Sequence, residues 1–345
     1  MVEGILMVLT LLVPVIVTVA TVSFFVGGKG KGKVRSIFQL ETSKGLVHQG
    51  LLWLAIFIPL TVAMSLGAWV WSDYALDLSL EGFKKFIEIS ILPLAVMSLS
   101  LPLAGLISKF HSTQQTAKQI EVVSFKNNLD AFYTHRKELL AYFAAMPTVD
   151  YLGVINIEYK LHPVIHVRFF EGSPTQGWPK ANTAAFDEVG SNISAGAKFL
   201  KNAIEPSAGS NVTALDWYLN ACRDIFLAAQ SLHVSDVARE LVSRGVSIKS
   251  EGTNQVGYDL LTIGTTTIEA LAAFRVVKSY YDNLCDFAGV ERLLIPEDHE
   301  IVFHGGQRIL DGDLVIERLH ECEIAELVDR GLGRHGENHP LLRVG

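Results

Sequence analysis

The sequence predicts a membrane α-helical N-terminal region of three transmembrane helices, followed by a mainly α cytosolic domain with a minor β element. Three observations carry this. Three long apolar stretches free of Asp, Glu, Lys and Arg run over about 4–28, 46–71 and 89–108, and none follows. Each has the roughly 20 apolar residues a helix needs to cross a hydrocarbon core. The chain from Lys109 onward reads as a water-soluble protein, with 22 Lys and Arg against 30 Asp and Glu. The organisation expected is a transmembrane region over 1–108, a helical stalk over 109–146, a mainly helical domain over 147–331 and a loose tail over 332–345.

Residues 4–28 carry Glu3 in front and their basic cluster behind. That is the reverse of a cleaved signal peptide, so a retained helix is expected. The first loop holds Lys29, Lys31, Lys33, Arg35 and Lys44 against Glu41, whereas the second holds four acids and two lysines over 72–88. Short basic loops stay on the cytoplasmic side. The N-terminus is therefore expected outside and the C-terminal domain in the cytoplasm. Lys29, Lys31, Lys33 and Arg35 read as a collar for anionic lipid headgroups. Their Gly/Lys run lacks the spacing of a phosphate loop.

His48 and Gln49, at the cytoplasmic start of the second span, are its only candidates for a polar pathway, which argues against a transporter. Small and hydroxyl residues recur at Ser98, Ser100, Ala104, Gly105 and Ser108, a pattern that allows close helix contact and self-association. Pro14, Pro59, Pro93 and Pro102 predict bends. Leu76–Ile87 is expected as a short helix on the outer leaflet.

From Lys109 no Pro or Gly occurs until Pro147, and apolar residues recur at helical spacing from Phe110 to Phe143. The reading is one helical stalk about 50 Å long; a break near Lys126-Asn127-Asn128 is the alternative. Val154, Ile155 and Ile157 predict a strand. His162–Phe170 fits a strand or a short helix starting at Pro163. His162 and His166 stand four apart, too few for a metal site without a third ligand. Thr213 and Ser235 cap expected helices, with Gly245 ending the second; another runs over Ile263–Phe287 and stops at Gly289. Glu300–Phe303 and Leu310–Ile316 are expected to pair as a hairpin.

The composition excludes several classes. Cys222, Cys285 and Cys322 are odd in number and widely spaced, which fits neither a disulfide framework nor a zinc site. The acidic balance argues against a broad nucleic-acid surface. No GxSxG, Walker A, GxGxxG or metal-ligand pattern appears. No catalytic, cofactor-binding or metal residue is therefore expected, and the chain is read as a non-enzyme.

Two stretches carry a resemblance. HSTQQTAKQIEVVSFKNNLDAFYTHRKELLAYF follows the last apolar stretch, and INIEYKLHPVIHVRFFEGSPTQGW comes next. Together they resemble the stalk and following element of bacterial phage-defence membrane proteins, the abortive-infection membrane proteins and retron membrane effectors. The resemblance spans about residues 110–180; the third membrane helix departs from the two often drawn for that group. It implies an inner-membrane toxin effector of antiviral defence, held silent by a partner and damaging the membrane once released. The implied partners are the lipid bilayer, other copies of the chain and a retron reverse transcriptase–msDNA complex. By the same resemblance Gln115, Thr116, Gln119, Ile120, His135, Arg136 and Phe143 shape the stalk. Pro163, Phe169, Phe170 and Gly177 shape the next element. A membrane-anchored signalling or enzymatic module, with passive helices, and a small channel or transporter subunit are the competing readings.

Overall fold

The computed structural model describes residues 2–27, 33–205, 213–241, 243–249, 259–294, 296, 299–304 and 315–335. The chain is mostly helical and divides into two compact units, Met1–Lys126 and Asn127–Gly345.

The first unit holds α1 (Val2–Phe25), the short α2 (Lys33–Ser36), a single 3₁₀ turn at Leu46–His48, α3 (Gly50–Trp71), α4 (Leu80–Ser98) and the start of α5 (Ser100–Ala144). Three helical stretches are long and apolar enough to cross a membrane: Leu6–Phe25, Gly50–Trp71 and the one beginning at Leu80. Met7, Ile16, Ile91 and Leu101 are all more than half exposed. So large an apolar surface is not left to water by a stable protein.

Helix α3 packs against both α1 and α4. Hydroxyls link the helices. The Thr18 and Thr61 hydroxyls lie 2.9 Å apart, and Ser65 Oγ donates to the Thr10 carbonyl at 3.1 Å. Trp71 Nε1 donates to Ser90 Oγ at 3.0 Å. In an apolar surrounding each such bond also spares a buried polar group. Gly50 is required by close approach: a Cβ there would fall 2.6 Å from that of Ile37. The Gln49 amide accepts from Glu41 N–H at 3.0 Å and donates to the Glu41 and Lys44 carbonyls, pinning the first loop to the start of α3. It is committed to backbone and lines no polar path.

Three boundaries of this region are corrected. The second span starts at Gly50, because Leu46–His48 forms a separate turn. No separate outer-leaflet helix occupies Leu76–Ile87; α4 starts at Leu80 and runs on into the apolar stretch. Ser79 caps it by accepting from Gly82 N–H at 3.1 Å, which fixes the start there. The third stretch is divided at Leu99, between α4 and α5. Pro102 supplies the reason: it has no N–H for the Ser98 carbonyl, and its ring crowds that carbonyl. Beyond that point α5 is a single helix of 45 residues, without a break at 126–128.

The second unit is built on α7 (Thr183–Ile204), α8 (Ala214–Ser231) and α10 (Thr267–Ala288), which pack on one another. Phe186, Val189, Ile193, Ala197 and Leu200 follow the three-four spacing that buries one face of α7. Thr213 and Thr266 form capping boxes with Asp216 and Glu269. At the far end of α10 Gly289 takes a left-handed conformation, and Val290 N–H reaches back to the Cys285 carbonyl. Short antiparallel pairs flank the bundle: β1 (Val149–Tyr151) with β2 (Ile155–Ile157), then β3 (Phe170–Glu171) with β4 (Lys180–Ala181). Between them lies α6 (Val164–Phe169), and α9 (Ser235–Leu241) follows α8.

A three-stranded antiparallel sheet was not foreseen from sequence. Its order is β6 (Asp259–Leu261), β5 (Val246–Lys249), β7 (Gly333–His335). The tail is thus ordered through His335. Gly331, at φ 75°, and the Leu332 N–H to Leu327 carbonyl bond turn the chain out of the preceding helix toward β5. The expected hairpin is also overturned: Glu300–His304 is a short helix, α11, and Ile316 lies in α12 (Val315–Leu319). Residues 305–314 lie outside the described ones. A π-helical turn at His320–Ile324 leads into α13 (Ala325–Asp329). The helix expected from Ile263 starts at Thr267, since Gly264 is left-handed and the Thr265 and Thr266 N–H groups are taken by Glu269 Oε2.

Candidate functional site

The residues of the second unit singled out by resemblance converge on the anchor of α5. Leu139 and Phe143, one turn apart, are fully buried in the main core. The Phe143 ring stacks on Tyr280 of α10 and lies near Tyr159. One turn before Leu139, His135 turns inward and meets α6. Its Nδ1 lies 3.1 Å from His166 Nε2. Both imidazoles are buried, at 4% and 1% exposure.

Aromatic rings enclose the pair. Phe170, Trp178 and Phe287 meet the His135 ring edge to face at centroid distances of 4.6 to 5.2 Å. Phe132 does the same to His166 at 5.2 Å. One ring nitrogen donates and the other accepts, so the pair is satisfied when both rings are neutral. Burial pushes His166 down to about 4, and the nearby His135 and Arg136 add to the shift. This is a neutral, interlocked joint.

Each flanking residue has a local reason for its place. Pro163 occupies the N-cap of α6, its backbone already helical. Phe169 packs edge to face on Phe186 of α7. Asn182 caps α7 and donates to the Arg168 carbonyl, joining the two elements. Gly177 has φ 93°, and a Cβ there would sit 3.0 Å from Asn128 Oδ1. Asn128 Nδ2 in turn donates to the Thr175 carbonyl at 2.8 Å. The 173–178 turn is thereby tied to α5 about two turns before His135.

His135, Phe143, Pro163, Phe169, Phe170 and Gly177 therefore belong to one joint, with Arg136 half-buried beside it. Gln115, Thr116, Gln119 and Ile120 belong to the first unit. Gln115 Nε2 donates to the Thr42 carbonyl at 3.4 Å, and the Thr116 hydroxyl bonds back to the Ser112 carbonyl. Gln119 and Ile120 are exposed. Of the basic collar, Lys29 and Lys31 lie outside the described residues, as does the side chain of Lys33; Arg35 is exposed on α2.

Sequence reading missed His166, Trp178, Phe287 and Tyr280 as members of this joint. The spacing of His162 and His166 favours a structural role over a metal site but does not point to His135 as the partner. Among the described residues no group of three His, Cys, Asp or Glu is placed to hold a metal. Burial raises the Cys222 thiol to about 12 and the Cys285 thiol to about 11, far from a thiolate at neutral pH. The chain matches no family model, no curated protein and no solved structure.

Proposed function

We propose that this chain is a membrane effector whose C-terminal unit restrains or triggers its apolar helices through α5. The observation that carries this is the span of one helix. Ser100–Ala144 begins in the apolar stretch and ends with Leu139 and Phe143 locked in the core of the second unit. A continuous helix resists bending and transmits rotation or displacement, whereas a flexible linker transmits neither. A passive anchor needs no such element.

With the resemblance over 110–180, the fuller reading is an inner-membrane effector of a phage-defence, abortive-infection system. Its N-terminus lies outside and its C-terminal unit in the cytoplasm. A partner, such as a reverse transcriptase–msDNA complex, holds it silent, and release lets the helices of several copies rearrange and impair the membrane. The chain acts in this reading without catalysis.

The test is expression of the chain alone in bacteria, with membrane potential followed by a voltage-sensitive dye. Depolarisation with growth arrest is expected. An unchanged potential, with the protein verified in the membrane fraction, contradicts the proposal. Retention of growth arrest by a soluble fragment from Asn127 onward would favour a membrane-anchored module with passive helices.

A further inference from the structure

Helix α6 is held by a buried imidazole pair, and a second pair lies just before its start. His166 meets His135 of α5 in the buried pair already described. Two residues before α6, the exposed His162 stacks on His233, in the turn between α8 and α9, at 4.9 Å between centroids and 16° between planes. His233 has φ 52°, in the left-handed region where histidine, like Asn and Asp, is among the enriched side chains.

The charges around the two pairs are known. Arg136 of α5 acts on His166, and Arg168 of α6 acts on His233. Glu188 of α7 is engaged by Arg168 at 3.1 Å, and Arg168 also reaches Ser231 Oγ. Among the described residues these surroundings are mainly cationic or aromatic. A proton added to the buried pair gains no free carboxylate and leaves a charge within an apolar shell beside Arg136.

We propose that α6 is an acid-released latch: proton uptake by the buried His135–His166 pair frees the helix from α5. The consequence for the membrane helices rests on the effector function proposed above; the latch itself does not. Burial holds His166 near 4 in the docked state, against 6.5 for a solvated imidazole. His166 alone then favours release about thirtyfold more at pH 5.0 than at pH 7.5.

The experiment is hydrogen exchange by mass spectrometry on the full chain in detergent, read over residues 164–169 at pH 7.5 and 5.0 and corrected for intrinsic exchange rates. Opening of α6 should rise at least tenfold at the lower pH. His166→Gln keeps a hydrogen-bonding side chain without a titrating ring and should remove most of that rise. His135→Gln, at the other ring of the buried pair, should do the same, and it carries the test if His166→Gln fails to fold. Equal opening of the wild type at both pH values, or a full rise retained in the folded variants, overturns the latch. A pH-insensitive α6 in a chain that still depolarises membranes removes the latch and leaves the effector proposal standing.

Discussion

His135 Nδ1 and His166 Nε2 lie 3.1 Å apart within a shell of Phe132, Phe170, Trp178 and Phe287. This bond joins the long helix α5 to the small element that follows it in the sequence. Burial in that shell disfavours a charge on His166.

Stability should therefore depend on pH with a definite sign. His166 sits at about 4 in the folded chain and near 6.5 when solvated. Between those values the unfolded chain binds more protons, so stability falls as pH drops through that window and is fully present above it. The loss from this group is on the order of 3 kcal/mol by pH 4. Chemical denaturation of the second unit at pH 7.5, 5.5 and 4.5 checks this, and His166→Gln should flatten the slope.

Phe143→Ala removes a fully buried ring stacked on Tyr280. A cavity of that kind costs about 3–5 kcal/mol. Thermal unfolding should show the second unit strongly destabilised, while the apolar helices still partition into the membrane fraction. Phe110→Ala, at an exposed position on the same helix, should leave that unfolding unchanged.

Gly177→Ala should cost about 1–2 kcal/mol, because φ 93° is strained for any side chain. The new methyl also meets Asn128 Oδ1 at 3.0 Å. Asn128→Ala removes the hydrogen bond to the Thr175 carbonyl at a cost of about 1 kcal/mol. The double variant should cost less than the sum, since relief of the clash couples the two sites.

Much of this was legible in the sequence, and the limits have physical causes. The apolar stretches, the capped helix at Thr213 and the uninterrupted run to Ala144 are local patterns. The division at Leu99 was signalled by Pro102, three residues later, but a proline near a helix start reads equally as a bend. In the sheet β6-β5-β7 the β5–β7 pair joins residues more than eighty positions apart, and its strands of three or four residues are too short to show alternation. His166 was visible as i+4 of His162, yet its true partner stands 31 positions back on another helix. Pairings at that range are set by tertiary packing, which no window of sequence contains.

The claim that α5 couples the two parts of the chain is tested most directly by Val123→Pro. Val123 is exposed in the middle of α5, so the substitution breaks the helix without opening a core, at about 3 kcal/mol of local cost. Membrane potential is then compared in cells expressing wild type and variant at equal levels in the membrane fraction. Coupling predicts depolarisation by the wild type and its loss in the variant. Equal depolarisation by both would contradict it.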